Sequence, residues 1–358
     1  VRANEEYNMP YGGRQNHNAD QLDGLDSTDF VRAADIATTV GTPGLDTLVP
    51  SEQAVREAID AIPVSDLTGY AKQTTVDVRY VVATDGDDSH AGTAAAISGT
   101  AIITGSTSVL GEGTTFTALA VGDYLVIAHE TRKIQSITDD HTLTVTAAFS
   151  GTSMGNAIYH CSAPLLTLGA AIAKFPTIVN HNLFIYLAPG TYPETVTLRG
   201  YAGQGTISLY GATTATNTHT VNNVYALNVA VVLSIFGLQA STNNTHGFFF
   251  GGCNYVFLCD GYATATTASF AGISVESGTY ISISGGTYSN KSWGVLATSG
   301  GTAALRFVGG NNNSTGISAT DGGQIRKRNS TVPSGTVAEQ YSAGGLIVGS
   351  SGAKVGTS

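Results

Sequence analysis

LSIFG (233–237), FLCDG (257–261), ISISG (281–285) and LRFVG (305–309) follow one another at intervals of 24 residues. Each opens on an apolar pair two residues apart, Leu233 with Ile235, Phe257 with Cys259, Ile281 with Ile283 and Leu305 with Phe307, and each closes on a glycine. Self-similarity at a fixed period of this size is the signature of a solenoid. A second phase runs between the first: GFFF at Gly247, GISV at Gly272, GVLA at Gly294 and GISA at Gly316, each a glycine leading into a short β-prone run. One repeat therefore holds at least two strands.

Residues i and i+2 of a strand share a face, so each pair points one way and its middle residue (Ser234, Leu258, Ser282, Arg306) the other. Coils stacked about 4.8 Å apart would set Leu233, Phe257, Ile281 and Leu305 in one interior ladder. The expected fold is all-β, a right-handed parallel β-helix of about 24 residues per coil, the hand taken from the general rule for parallel crossovers. A β-sandwich has no reason to keep one interval through four copies.

Only 12% of the 358 residues are charged, against roughly 25% in ordinary soluble proteins. With 44 glycines and two methionines, solubility falls to Ser, Thr and Asn, a surface usual in extracellular and virion β-structure. Residues 1–160 carry 21 acidic and 8 basic side chains, residues 161–358 carry 5 and 8, so the composition changes near 160. Neither half has a dense Lys/Arg stripe, and no nucleic-acid partner is expected. Arg326, Lys327 and Arg328 read as a solvated face, with contact to an anionic cell-wall polymer as the alternative. Cys161, Cys253 and Cys259 include no C-x-x-C pair and read as buried free thiols, Cys259 on the interior ladder. Asp139, Asp140 and His141 read as a hairpin turn rather than metal ligands, and no metal or cofactor is expected. No apolar run approaches the roughly 18 residues of a membrane span. Residues 1–13 lack a basic-then-apolar signal peptide, so a protein acting outside the cell is expected to leave by lysis or in a particle.

Three regions follow. Residues 1–63 are a polar attachment segment ending in a short helix, with Ser51 as N-cap and Val55, Ala58, Ile59 and Ile62 as an apolar stripe. A helix of about a dozen residues is marginal alone, and identical copies are its economical partners, which predicts an oligomer held by this helix. Residues 64–160 are a small antiparallel β-sandwich or barrel of short Val, Ile, Thr and Tyr runs between Gly, Asp and Ser turns. Residues 161–358 are the β-helix with a C-terminal cap, entered through a short helix in LLTLGAAIAKF (165–175).

LDGLDSTDFVRA and GLDTLVPSEQAVREAID, about 35 residues near the N-terminus, resemble linker segments of tail fibres and receptor-binding proteins of tailed bacteriophages. NLFIYLAPGTYPETVTLRGYAGQGTISLYG (182–211) resembles the first coil of pectin-lyase-like β-helices. VGDYLVI followed by ITDDHTLTVTAAFSG resembles a small β-module of phage tail proteins, and the C-terminal coils are similar to those of phage receptor-binding proteins. The resemblance implies a trimeric virion protein that meets other tail or baseplate proteins through its N-terminal segment and a bacterial surface polysaccharide at its tip. It implies no membrane insertion.

Many phage β-helices are polysaccharide depolymerases. Glycoside hydrolysis needs two carboxylates about 5 to 9.5 Å apart. From Thr195 to Thr320 only Asp260 and Glu276 are acidic, and they fall on different parts of the coil. The turns GGTYSNKSWG (285–294) and GGNNNSTG (309–316) should lie side by side, which makes Tyr288, Asn290, Trp293, Asn311, Asn312 and Asn313 a neutral glycan-binding patch. The reading is an adhesin, with a depolymerase using Asp260 and Glu276 as the alternative, and a structural spacer or neck appendage as the third.

Overall fold

The computed structural model describes residues 76–211, 218–242, 244–264, 270–328 and 332–349. These form a parallel β-solenoid and a small antiparallel barrel. One side of the solenoid, face A, is a nine-stranded sheet: Val78–Val82, Leu183–Leu187, Thr206–Tyr210, Val232–Phe236, Tyr255–Cys259, Tyr280–Ser284, Thr302–Arg306, Gln324–Arg328 and Leu346–Val348. In the second sheet, Gly190–Arg199 and His219–Leu227 are long, with a bulge between Val221 and Asn223. Later coils break there into two strands. Gln239–Ala240, Tyr262–Thr264 and Thr287–Ser289 make face B; Phe248–Gly251, Ala271–Glu276, Trp293–Ala297, Asn313–Ala319 and Gly335–Tyr341 make face C.

The interior ladder of face A runs Ile207, Leu233, Val256, Ile281, Ala303, Ile325, Ile347, with Leu209, Ile235, Leu258, Ile283 and Leu305 beside it. All are completely buried, each large one contributing about 1.5 to 3 kcal/mol. The solenoid is as expected, but two of the four pairs are out of phase. Ile207 to Leu233 is 26 residues, then come steps of 23, 25, 22, 22 and 22. A slip of one residue inverts a strand, so Val256 and Leu258 point inward and Phe257 and Cys259 outward. A slip of two moves Leu305 to the second interior slot and carries Phe307 off the strand, where it is exposed.

The second phase stands as read. Phe248 and Phe250, Ile273 and Val275, Val295 and Ala297, and Ile317 and Ala319 stack inside face C. Gly272 is required by packing: a Cβ there would lie 2.8 Å from the Tyr288 Cβ and 2.7 Å from the Gly294 carbonyl oxygen. The turns from face C to face A repeat every 22 residues, as Ser277-Gly278, Ser299-Gly300, Asp321-Gly322 and Ala343-Gly344, all with positive φ. A repeated two-residue turn of this kind fixes the register of the last coils.

Val78–Val82, grouped with the β-module in the sequence, is the first strand of face A and pairs in parallel with Leu183–Leu187. Between them stands a closed six-stranded barrel, Ala95–Cys161. Asp139, Asp140 and His141 form a hairpin turn in it, the His141 N–H donating to Asp139 Oδ1 at 2.8 Å. The barrel leans on the outer side of face A through Tyr124, Val126, Cys161, Tyr186 and Ala188. The hairpin tip Ala128-His129, positive φ at both residues, lays the His129 ring 4.5 Å from Tyr210, stacked at 10°. The helix Leu168–Ala173 begins the return to the solenoid, its N-cap Thr167 accepting from the Ala170 N–H. Cys161 and Cys253 are buried free thiols as expected; Cys259 is half-buried on the outer side, donating to Asp260 at 3.4 Å. The apolar stripe Val55, Ala58, Ile59 and Ile62 and the phage-like segments lie outside the described residues.

Candidate functional site

Of the six residues of the predicted neutral patch, Tyr288 and Asn313 are buried. Tyr288 is completely buried, its ring edge-on to Phe248 at 6.3 Å, because its position continues the interior column of Ala240 and Ala263. Asn313 is buried as well and bridges coils: its amide donates to the carbonyls of Tyr288 (3.0 Å) and Ser334 (2.9 Å), and its Oδ1 accepts from the Lys291 N–H (3.0 Å). Asn290 and Asn312, with φ of 58° and 56°, turn the chain in successive coils. That is backbone work typical of asparagine. Asn311 and Asn312 are exposed, and Asn290 and Trp293 half-buried, so four of the six stay at the surface.

The two carboxylates lie apart. Asp260 follows the face A strand Tyr255–Cys259 and pairs its N–H with the Ser284 carbonyl, at the end of that face. Glu276 ends the face C strand Ala271–Glu276, at the start of face A, and accepts from Ser274 Oγ at 3.0 Å. The five-residue strand Tyr280–Ser284 separates these corners, roughly 16 Å at about 3.3 Å per residue. That exceeds either glycosidase spacing. Near Glu276, His246 accepts from the Ala271 N–H through Nδ1 (3.2 Å), and burial lowers its pKa. Lys291 is buried, its ammonium donating to the Thr242 carbonyl (2.7 Å), and burial pushes it down to about 8. Among the described residues no three His, Cys, Asp or Glu side chains gather as a metal site.

What the structure does assemble is an aromatic strip on the outer side of face A. Tyr186, Tyr210 and Phe236 are register partners in successive strands, stacked at 5.3 and 4.7 Å. Phe257 meets Phe236 at 5.6 Å, and Tyr255 stacks on Tyr280 at 5.6 Å. His129 covers the barrel end, leaving Tyr210, Phe236, Phe257 and Tyr280 half-buried and Tyr255 exposed. Ser208, Ser234, Phe257 and Ser282 share the adjacent outward column, placing hydroxyls beside the rings. Burial pushes the Tyr186 and Tyr210 phenols up, so both are neutral donors at neutral pH. Stacked on one another, these rings present their edges outward, and a ridge of ring edges with hydroxyls beside it can pack against the apolar side of a sugar and bond its hydroxyls. The signal was in the sequence: Tyr210 and Phe236 each directly follow an inward residue, Leu209 and Ile235, and so must point outward.

No family model and no curated protein matches the chain. Similar solved structures include three phage tailspikes. The Pseudomonas phage phi297 tailspike gp61 is 13% identical with a TM-score of 0.30, over 78% of this chain and 64% of that one. The tailspike gp49 of Pseudomonas phage LKA1 is 13% identical with a TM-score of 0.22, over 77% and 63%. The Gp54 tailspike of Acinetobacter baumannii bacteriophage AP22, in complex with A. baumannii capsular saccharide, is 11% identical with a TM-score of 0.24, over 84% and 68%. The chain spans less than two thirds of the first two proteins.

Proposed function

We propose that the chain is a phage tail adhesin, a spike or fibre component that attaches the virion to a bacterial surface glycan. The observation that carries this reading is the aromatic and serine strip on the outer side of face A, partly exposed along four coils. The phage-like linker segments of residues 17–33 and 41–62 support the same placement, with the N-terminal segment held by other tail proteins and the chain working as a homotrimer. Three weak sites per spike gain avidity without strong single contacts. Trp293, Asn290, Asn311 and Asn312 make a second, smaller contact at the corner between faces B and C. The separation of Asp260 from Glu276 weighs against a depolymerase site within one chain.

The test is adsorption of the fluorescently labelled chain to candidate host cells, with release of reducing or unsaturated sugars measured in parallel. Binding without product is expected, and Phe236→Ser should weaken it about tenfold through lost apolar contact, roughly 1.4 kcal/mol. Product release abolished by Asp260→Asn or Glu276→Gln would replace the adhesin with an enzyme.

A further inference from the structure

The aromatic ridge of face A stops short of the start of the solenoid. From Tyr210 to Tyr280 its rings are half-buried or exposed, but over the first two strands, Val78–Val82 and Leu183–Leu187, the barrel leans on the same side through Tyr124, Val126 and Cys161. A glycan laid along the ridge from coil to coil therefore meets a wall. His129 forms its edge: the imidazole lies 4.5 Å from the Tyr210 ring, a contact that leaves no space for a sugar between them.

Beside His129 the wall opens into a cleft of about 180 Å³ between barrel and face A, with Ala128, His129, Asn156, Ala157, Tyr159 and Tyr186 on its sides. That is smaller than the roughly 300 Å³ at which pockets for drug-sized ligands begin, so it admits one sugar ring and not a length of chain.

The sides of the cleft are set by the two elements that make it. In the barrel strand Thr152–Cys161, Ile158 points into the barrel core, so Ala157 and Tyr159 on either side of it point out toward face A, as Cys161 does. Tyr159 pairs with Ala96 and Ala157 with Thr100, so four steps along one strand oppose two along the other. Irregularities of this kind re-aim side chains and gather beside functional sites. On the solenoid side, the Arg79 guanidinium lies over the rings of Tyr159 at 4.4 Å and Phe184 at 4.8 Å, and Phe184 stacks on Tyr186 at 6.0 Å. The aromatic walls are thus held in place before a ligand arrives.

The mouth of the cleft carries a separate mark. Ile127 and Glu130 are register partners, which leaves Ala128-His129 as a two-residue hairpin turn, with φ of 50° and 70°. Such positions ordinarily take Asn-Gly, and a turn that only reversed the chain has no reason to strain an alanine and a histidine. The strain sets an imidazole at the entrance. With the phenols of Tyr159 and Tyr186 it supplies donors and acceptors among apolar walls, the make-up of a small-ligand site.

Resting on the adhesin reading, we propose that the cleft between the barrel and face A takes one terminal sugar residue of the receptor glycan, with His129 at its mouth and the rest of the glycan leaving along the ridge from Tyr210 toward Tyr280. The barrel is then the stop that fixes the direction of the bound chain.

The experiment uses the full chain, as wild type, Ala157→Trp and Met154→Trp, with polysaccharide extracted from a bacterium that the chain labels. Tryptophan at 157 fills the cleft, whereas Met154 is 79% exposed on the barrel and tryptophan there adds bulk away from it. Ala157→Trp should weaken binding about tenfold, with Met154→Trp binding as wild type and all three melting alike. Methyl glycosides of that polysaccharide's own sugars are then added as competitors. One of them should displace the polysaccharide from wild type and leave the residual binding of Ala157→Trp unchanged. Partial acid hydrolysis separates the two sources of a terminal residue: competition per unit mass that rises with the number of chain ends assigns the cleft to the end of the main chain, and constant competition assigns it to the tip of a side branch. Wild-type binding by Ala157→Trp, or no competition by any methyl glycoside, overturns the inference. Should Ala157→Trp melt lower than wild type, Tyr159→Phe decides in its place: it removes a hydroxyl and no bulk, severalfold weaker binding supports the cleft, and wild-type binding overturns it. If Phe236→Ser still weakens adsorption when the inference fails, the adhesin reading stands without the cleft; if it does not, both fall.

Discussion

Val256 and Phe257 are neighbours whose substitution by aspartate should have opposite consequences. Val256 is completely buried in the interior ladder between Leu233 and Ile281. Val256→Asp removes an aliphatic side chain from that ladder and sets a carboxylate in its place with no cation opposite. Losing the packing costs about 2 kcal/mol, and burying the new group adds at least that much, so about 4 to 5 kcal/mol is expected. Phe257 points outward, half-buried, with its main ring contact to Phe236 at 5.6 Å. Phe257→Asp should cost only about 1 kcal/mol, the value of one exposed aromatic contact. The assay is urea unfolding followed by far-UV circular dichroism, comparing midpoints because a solenoid need not unfold in one step. Equal destabilisation, or a larger effect at Phe257, would refute the register and restore the strict 24-residue phase.

Four further outcomes are expected. Gly272→Ala should lower stability by about 1 to 3 kcal/mol, since its Cβ would meet Tyr288 and the Gly294 carbonyl, and a differential scan measures it. His219 is buried and its pKa is lowered to about 4, burial being the main cause and Arg132 the next. The unfolded chain therefore takes up its proton first: the contribution is whole above about pH 6.5 and is lost as pH falls toward 4, about 3 kcal/mol in all. Urea midpoints at pH 7.5 and 4.5 should show the drop, and His219→Phe should flatten it. Trp293→Ala should weaken cell adsorption less than Phe236→Ser does, and the reverse order would move the main contact to the corner between faces B and C. Light scattering at micromolar concentration should report a trimer; a monomer would remove the assembly proposed from Val55, Ala58, Ile59 and Ile62.

The solenoid was legible because each coil repeats a glycine before a β-prone run, and the face C strands could be placed from Gly247, Gly272, Gly294 and Gly316 alone. Face A was harder. In YVFLC, Val256, Phe257, Leu258 and Cys259 are all apolar, so either parity looks like an interior pair, and only unequal coil lengths decide between them. Val78–Val82 could not be assigned locally because its partner begins 105 residues later, beyond the inserted barrel. The candidate site suffered from the same one-residue ambiguity. Tyr288 and Asn313 sit in turns that read as surface, yet one fills the core and the other uses its amide to tie coils together. Stacking distances along the strip depend on cross-strand register, which no single segment encodes.

Hydroxyl-radical footprinting of the full chain, with and without polysaccharide extracted from a bacterium it labels, tests the central claim most directly. The account predicts protection of Tyr210, Phe236, Tyr255, Phe257 and Tyr280, with the barrel's exposed Met154 unchanged. Protection confined to Trp293, or to the barrel, with the face A rings as reactive as in the free chain, would contradict it.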